Sequence, residues 1–190
     1  MRGLSTAVGC LAVLVILGAP VRAHAWVALS GPMHTTMVFL HILGAVLFLG
    51  NIIVSAMWVA QARRAGDAAV LHFAATSVMR ADWLFTLPGI VLILVTGLLA
   101  AGRWGGFPGT AWVELALTLL IVSGVIWLGV LLRLQRQMIR LTAQAVSSGG
   151  AVVDERIESV LRRWIIWGGI ATLLPLISLV LMVFKPALWR

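Results

Sequence analysis

Residues 37–60, 83–101, 112–132 and 164–184 form apolar stretches about as long as a bilayer is thick, and these four blocks restrict the chain to very few folds. A helix rises ~1.5 Å per residue, so about 20 apolar residues cover the ~30 Å of hydrocarbon. Inside hydrocarbon every backbone N–H and C=O must find a partner within its own segment, which leaves helices as the solution for runs of this length. The expected fold is therefore all-α, a polytopic membrane four-helix bundle. Hydrophobic residues make up 62% of the chain and charged residues 11%, and the charges fall between the apolar blocks. A water-soluble helical protein would instead carry them along one face of each helix. No soluble domain is left over, and the net charge of +8 is explained by membrane topology without a nucleic-acid partner.

The first 25 residues read as a secretory signal peptide. Arg2 supplies the positive end, residues 11–17 the apolar centre, and Ala23-His24-Ala25 the small-x-small cleavage site. Residues 26–190 are then the mature four-helix domain, starting at Trp26; the alternative is an uncleaved extra helix. Cys10 lies too early in the segment to be a lipidation site. Its removal with the signal would leave no cysteine, and so no disulfide, thiolate nucleophile or cysteine-ligated metal.

Orientation follows from the arginines. Arg63, Arg64 and Arg80 lie between the first two spans, Arg133, Arg136, Arg140, Arg156, Arg162 and Arg163 between the last two, and Arg103 alone between the middle pair. The positive-inside bias makes the first and third loops cytoplasmic and both mature termini periplasmic, in a bacterial inner membrane. Trp58, Trp83, Trp164 and Trp167 fall at the cytoplasmic level and Trp104, Trp112 and Trp189 at the periplasmic one, as interfacial rings should. In the third loop Arg133, Arg136 and Arg140 share one helical face and Leu134, Met138 and Leu141 another. Residues 147–150 read as a turn, Asp154 as a cap, and Glu158 and Arg162 stand at i, i+4 spacing.

Polar residues inside a membrane cost about 2.5 to 3.5 kcal/mol for a central charge, so each needs a reason. His34, His41, Phe48, Asn51 and Ser55, with Gly44, fall near one face of the first span, which should look into the bundle. In the second span Thr86, Gly89, Thr96 and Gly97 permit close helix approach, and Pro88 removes one backbone donor. Asp82 is expected to cap the start of that span and to pair with Arg80 or an arginine of the third loop. His72 is expected to sit hydrated in the first loop. Glu114 opens the third span and Lys185 closes the fourth, at the level of His34 and His41. Asn51, Asp82 and Glu114 are read as structural polar residues, and the periplasmic mouth as the place with chemical potential.

These residues resemble a bacterial family of predicted integral membrane proteins, the domain of unknown function numbered 2269. The likeness rests on His41-Ile42-Leu43-Gly44 with Gly50-Asn51, on Asp82-Trp83 followed by Pro88-Gly89 and Thr96-Gly97, and on Met182-Val183-Phe184-Lys185-Pro186. That family is distantly similar to four-helix membrane proteins of the CopD copper-resistance type and the HemJ protoporphyrinogen oxidase type. Resemblance to HemJ implies a haem-linked redox role, with haem b held by His41 and Lys185. Resemblance to CopD implies copper handling by Met33, His34, Met37 and His41.

Three functions stay open. A haem-binding redox protein needs an axial ligand in a dry bundle, which His41 supplies; His34 and His41 together cannot flank one iron, being about 10 Å apart along the axis. A copper site prefers thioether and imidazole ligands, which the methionines and histidines of the first span offer. A structural or assembly subunit, as a homo-oligomer or within a membrane complex, needs no cofactor and only the small-residue faces and the arginine-rich hairpin. Embedding in the lipid bilayer is common to all three. No catalytic acid, base or nucleophile is assigned.

Overall fold

The structure, a computed structural model, describes residues 31–104, 107, 109–149 and 152–188; the segment read as a signal peptide, with Cys10, lies outside the described residues. Helix α1 spans Gly31–Ala65. Helix α2 (Ala68–Ala81) runs through a π-helical stretch, Asp82–Thr86, into α3 (Leu87–Ala101). In the same way α4 (Ala111–Ile126) runs through Trp127–Leu131, also π-helical, into α5 (Leu132–Ser147), and α6 spans Glu155–Phe184. Four continuous rods result, each long and apolar enough to cross a membrane, and the chain is an integral, multi-pass membrane protein.

The rods are longer than the expected spans, and this corrects the loop assignments. Ala68–Trp104 and Ala111–Ser147 each have 37 residues, about 55 Å, which exceeds the hydrocarbon by ~25 Å. The surplus falls at the arginine-rich end, where the expected first loop shrinks to a turn. Gly66 takes φ 67° there, a conformation that suits glycine. The Asp67 carboxylate then accepts from the Ala69 and Val70 N–H groups at 2.7 and 3.3 Å and starts α2. Asp154 starts α6 as expected, accepting from Ile157 N–H at 2.8 Å.

At this end the helices build a core of their own from Val59, Leu71, Ala75, Val78, Met138, Ile157, Val160 and Leu161, among others. Helix α5 divides as its sequence predicts, with Arg133, Arg136 and Arg140 exposed and Leu134 and Met138 buried. Glu158 pairs across helices with Arg63, an exposed contact contributing about 1 kcal/mol or less. His72 is half-buried between α2 and α5, where a loop position and hydration were expected. The Thr142 hydroxyl donates to Met138 O, so His72 Nδ1–H donates to Thr142 Oγ1 at 2.9 Å.

In the membrane-spanning half the four rods divide into two pairs, α1 with α3 and α4 with α6. Gly44 and Gly89 let the first pair touch: a Cβ built on Gly44 would lie 2.9 Å from Gly89 O, and one on Gly89 2.9 Å from Gly44 O. The second pair is joined by hydroxyls. Pro175 sits inside α6 and has no N–H to give the carbonyl four residues back. That carbonyl, Ala171 O, instead accepts from Ser123 of α4 at 2.7 Å. Ser178 donates in turn to Ala116 O at 3.1 Å.

Candidate functional site between the two helix pairs

Asp82 is not at a helix start. A 14-residue helix, α2, precedes it, and its side chain is 9% exposed, so the expected cap and arginine partners are both overturned. Asn51 Nδ2 donates to Asp82 Oδ1 at 3.0 Å and to Thr86 Oγ1 at 2.8 Å, and the Thr86 hydroxyl donates to Asp82 Oδ1 at 3.0 Å. Ser55 Oγ reaches Asn51 Oδ1 at 3.5 Å. A carboxylate removed from water is held by side chains that donate to it, which is the condition for keeping such a group buried. Of the face of α1 expected to look into the bundle, Gly44, Phe48, Asn51 and Ser55 are buried and His34 and His41 are half-buried.

The π-helical stretches explain how this cluster is assembled. Leu87 N–H bonds to Asp82 O and Leu132 N–H to Trp127 O, five residues back in each case. Each π turn swells its rod locally, as such bulges do at functional sites. Pro88, which lacks an N–H, stands just beyond the first. The second brings the Trp127 indole and, about two turns on, the Gln135 amide toward Asp82. Gln135 is 1% exposed, and its Nε2 reaches no acceptor in hydrogen-bonding geometry. A buried donor left unpaired costs about 1–3 kcal/mol, which makes it conspicuous.

Between the two helix pairs lies a cavity of about 600 Å³ to which all four rods contribute. Phe48, Ile90, Leu120, Leu173 and Leu176 make its apolar walls, while Asp82, Thr86, Gln135 and Trp127 gather on its lining as a polar group. The expectation of a site at the opposite mouth placed the chemistry elsewhere. Gln135 and Trp127 were not singled out in the sequence because α5 reads as a solvated arginine helix. The available signal was that Gln135, Met138 and Thr142 follow at spacings of three and four, on the face away from Arg133, Arg136 and Arg140.

His41 lies on the α1–α3 contact, half-buried, and its Nδ1–H donates to Ile93 O at 2.9 Å. Gly97 makes room for the ring: a Cβ there would stand 2.7 Å from His41 Cε1. His34, nearer the helix start, has a buried Nε2 with no partner among the described residues. The remaining predicted residues are engaged separately. Glu114 accepts from Gly109 N–H at 2.8 Å. Lys185 ends α6 in a left-handed conformation, φ 47°, and its Nζ lies 4.1 Å from the centre of the Trp104 ring. Trp104 packs edge to face on Trp112, centroids 6.2 Å apart. Met33 is 54% exposed. Among the described residues no three His, Cys, Asp or Glu side chains gather where they could hold a metal.

The family described as predicted integral membrane protein (DUF2269) matches residues 35–186. No curated protein and no solved structure matches the chain.

Proposed function

The chain belongs to the DUF2269 family of predicted integral membrane proteins, and from that premise we propose that it is a membrane-embedded binding protein for a lipophilic small molecule. The observation that carries this reading is the ~600 Å³ cavity joining apolar walls to a buried polar cluster. Its size is that of ordinary small-molecule sites, which are mostly apolar with a few polar groups fixing orientation. Its position between two helix pairs gives a lipid-soluble molecule the complementary environment. Gly124 and Gly168 line it, and a Cβ on either meets nothing closer than 4.0 Å. Gly124→Leu and Gly168→Leu should therefore fill the cavity without a clash. Protein in native-lipid particles is expected to carry an extractable lipophile, seen by mass spectrometry, that both variants lose. The same lipophile retained by both would place the binding elsewhere.

A haem-linked redox role at His41 is the second reading, favoured by one contact. Metal-ligating histidines commonly donate their other ring N–H to a carbonyl, as His41 does to Ile93 O, and this leaves Nε2 as the ligand atom. His41 does not line the cavity, and Lys185 is engaged on Trp104, so the groups that fit a haem reduce to one axial nitrogen. Purified protein is expected to show a Soret band that His41→Ala abolishes; absence of the band from haem-replete cells removes this reading. Copper has less support. Met33 and His41 stand eight residues apart on one helix, about 12 Å, so the four candidates cannot surround a single ion.

We further propose that the arginine-rich end is cytoplasmic and that the other end faces the periplasm of a bacterial inner membrane. Reporters fused after Gly66 and Gly149 should then fluoresce as cytoplasmic fusions, and alkaline phosphatase activity at either site would reverse the orientation.

A further inference from the structure

Resting on the cavity reading, we infer that the occupant is a neutral lipophile with a hydroxyl head, a quinol or a long-chain alcohol, whose head lies between Asp82 and Gln135. The two hydrogen bonds of full geometry on Asp82 both fall on Oδ1, while the Trp127 indole and the Gln135 amide approach the carboxylate without completing such a bond. Gln135 lines the same cavity, and its buried Nε2, turned toward the Asp82 carboxylate, completes no hydrogen bond of full geometry. The Trp127 indole, which can only donate, faces the same place.

The incompletely bonded groups are thus one acceptor beside one or two donors, and a head group inserted between them must answer both. A hydroxyl does so with a single oxygen, donating to the carboxylate and accepting from the amide. An alkylammonium ion satisfies the carboxylate but presents three donors to Gln135 and Trp127. A fatty-acid carboxylate satisfies those donors but brings a second negative charge against Asp82. An ester has no hydrogen for Asp82. The apolar walls above the cluster, with Leu120, Leu173 and Leu176, suit a hydrocarbon or isoprenoid body and no further polar groups.

The test uses full-length protein in phosphatidylcholine nanodiscs, whose lipids carry no hydroxyl. Photoactivatable diazirine probes of one chain length, ending in alcohol, amine or carboxylic acid, are added and adducts mapped by mass spectrometry. The alcohol should label peptides lining the cavity, and Gly168→Leu should suppress that labelling. Gln135→Leu should weaken it by about tenfold, the effect of losing one hydrogen bond to a buried head. Because Gln135 Nε2 completes no hydrogen bond within the protein, this variant removes a costly unpaired donor and should unfold at or above the wild-type temperature. Competition by unlabelled short-chain ubiquinol or by dodecanol identifies which source of the hydroxyl is preferred.

Cavity labelling by the amine or the acid that equals the alcohol's, or alcohol labelling indifferent to Gln135→Leu, overturns the hydroxyl assignment while leaving the cavity as a binding site. No cavity labelling by any of the three probes overturns both.

Discussion

Gly44→Leu is expected to separate α1 from α3 and to lower stability by about 3 kcal/mol, the upper part of the range for overpacking a tight contact. The added Cβ alone would meet Gly89 O and Leu92 Cβ at 2.9 Å, and backbone cannot move aside as a flexible side chain can. Gly89→Leu should do the same from the other helix, since its Cβ would meet Gly44 O at 2.9 Å. The two changes strain one contact, so the double variant should lose clearly less than the sum. Gly50→Leu is the control, because nothing lies within 4 Å of its Cβ position. Thermal unfolding in detergent, followed by circular dichroism, measures all four. Equal midpoints for Gly44→Leu and Gly50→Leu would mean that the glycine contact is not what holds this pair.

The other large effect is expected at Asp82. Asp82→Ala removes the acceptor for both Asn51 Nδ2 and the Thr86 hydroxyl, and stranding buried donors of this kind costs about 3 kcal/mol. Asp82→Asn keeps an oxygen in place of Oδ1 and should cost about 1 kcal/mol, with the charge gone but the network standing. The ratio between the two variants separates hydrogen bonding from charge as the organising feature. If Asn and Ala prove equally damaging, the negative charge itself holds the cluster together.

Much of this fold was legible because hydrocarbon enforces simple rules. Runs of apolar residues had to be helices, and Gly44, Gly89, Asn51 and Ser55 declared an inward face by their spacing. The small-residue pattern of the second span anticipated the Gly44–Gly89 contact. The sequence was less informative where helices continue beyond the hydrocarbon. Arg80, His72 and Asp82 read as a polar loop followed by a helix start, because polarity in a membrane protein ordinarily marks an exit. In the structure the helix simply continues, burying Leu71, Ala75 and Val78 and leaving Asp82 far from either end. The cluster drew on residues from α1, α5 and both π turns, and no local pattern encodes a meeting of segments so distant in sequence. The haem and copper candidates came from residue type and from distant family resemblance, and neither reports whether neighbours leave a ligand atom free.

The proline within α6 bears on the order in which the chain is put together. On insertion by itself, α6 would expose the Ala171 carbonyl, released by Pro175, to acyl chains that offer no donor. Its remedy is the Ser123 hydroxyl of a helix that is synthesised earlier and is already in place. The last rod therefore completes its backbone only by docking, and its lateral release into lipid is opposed until α4 is beside it. Ser123→Ala should delay that step during biogenesis, showing as prolonged contact of α6 with the insertion machinery. In a Pro175→Ala background the same change should have no effect, because the helix would then satisfy its own carbonyl.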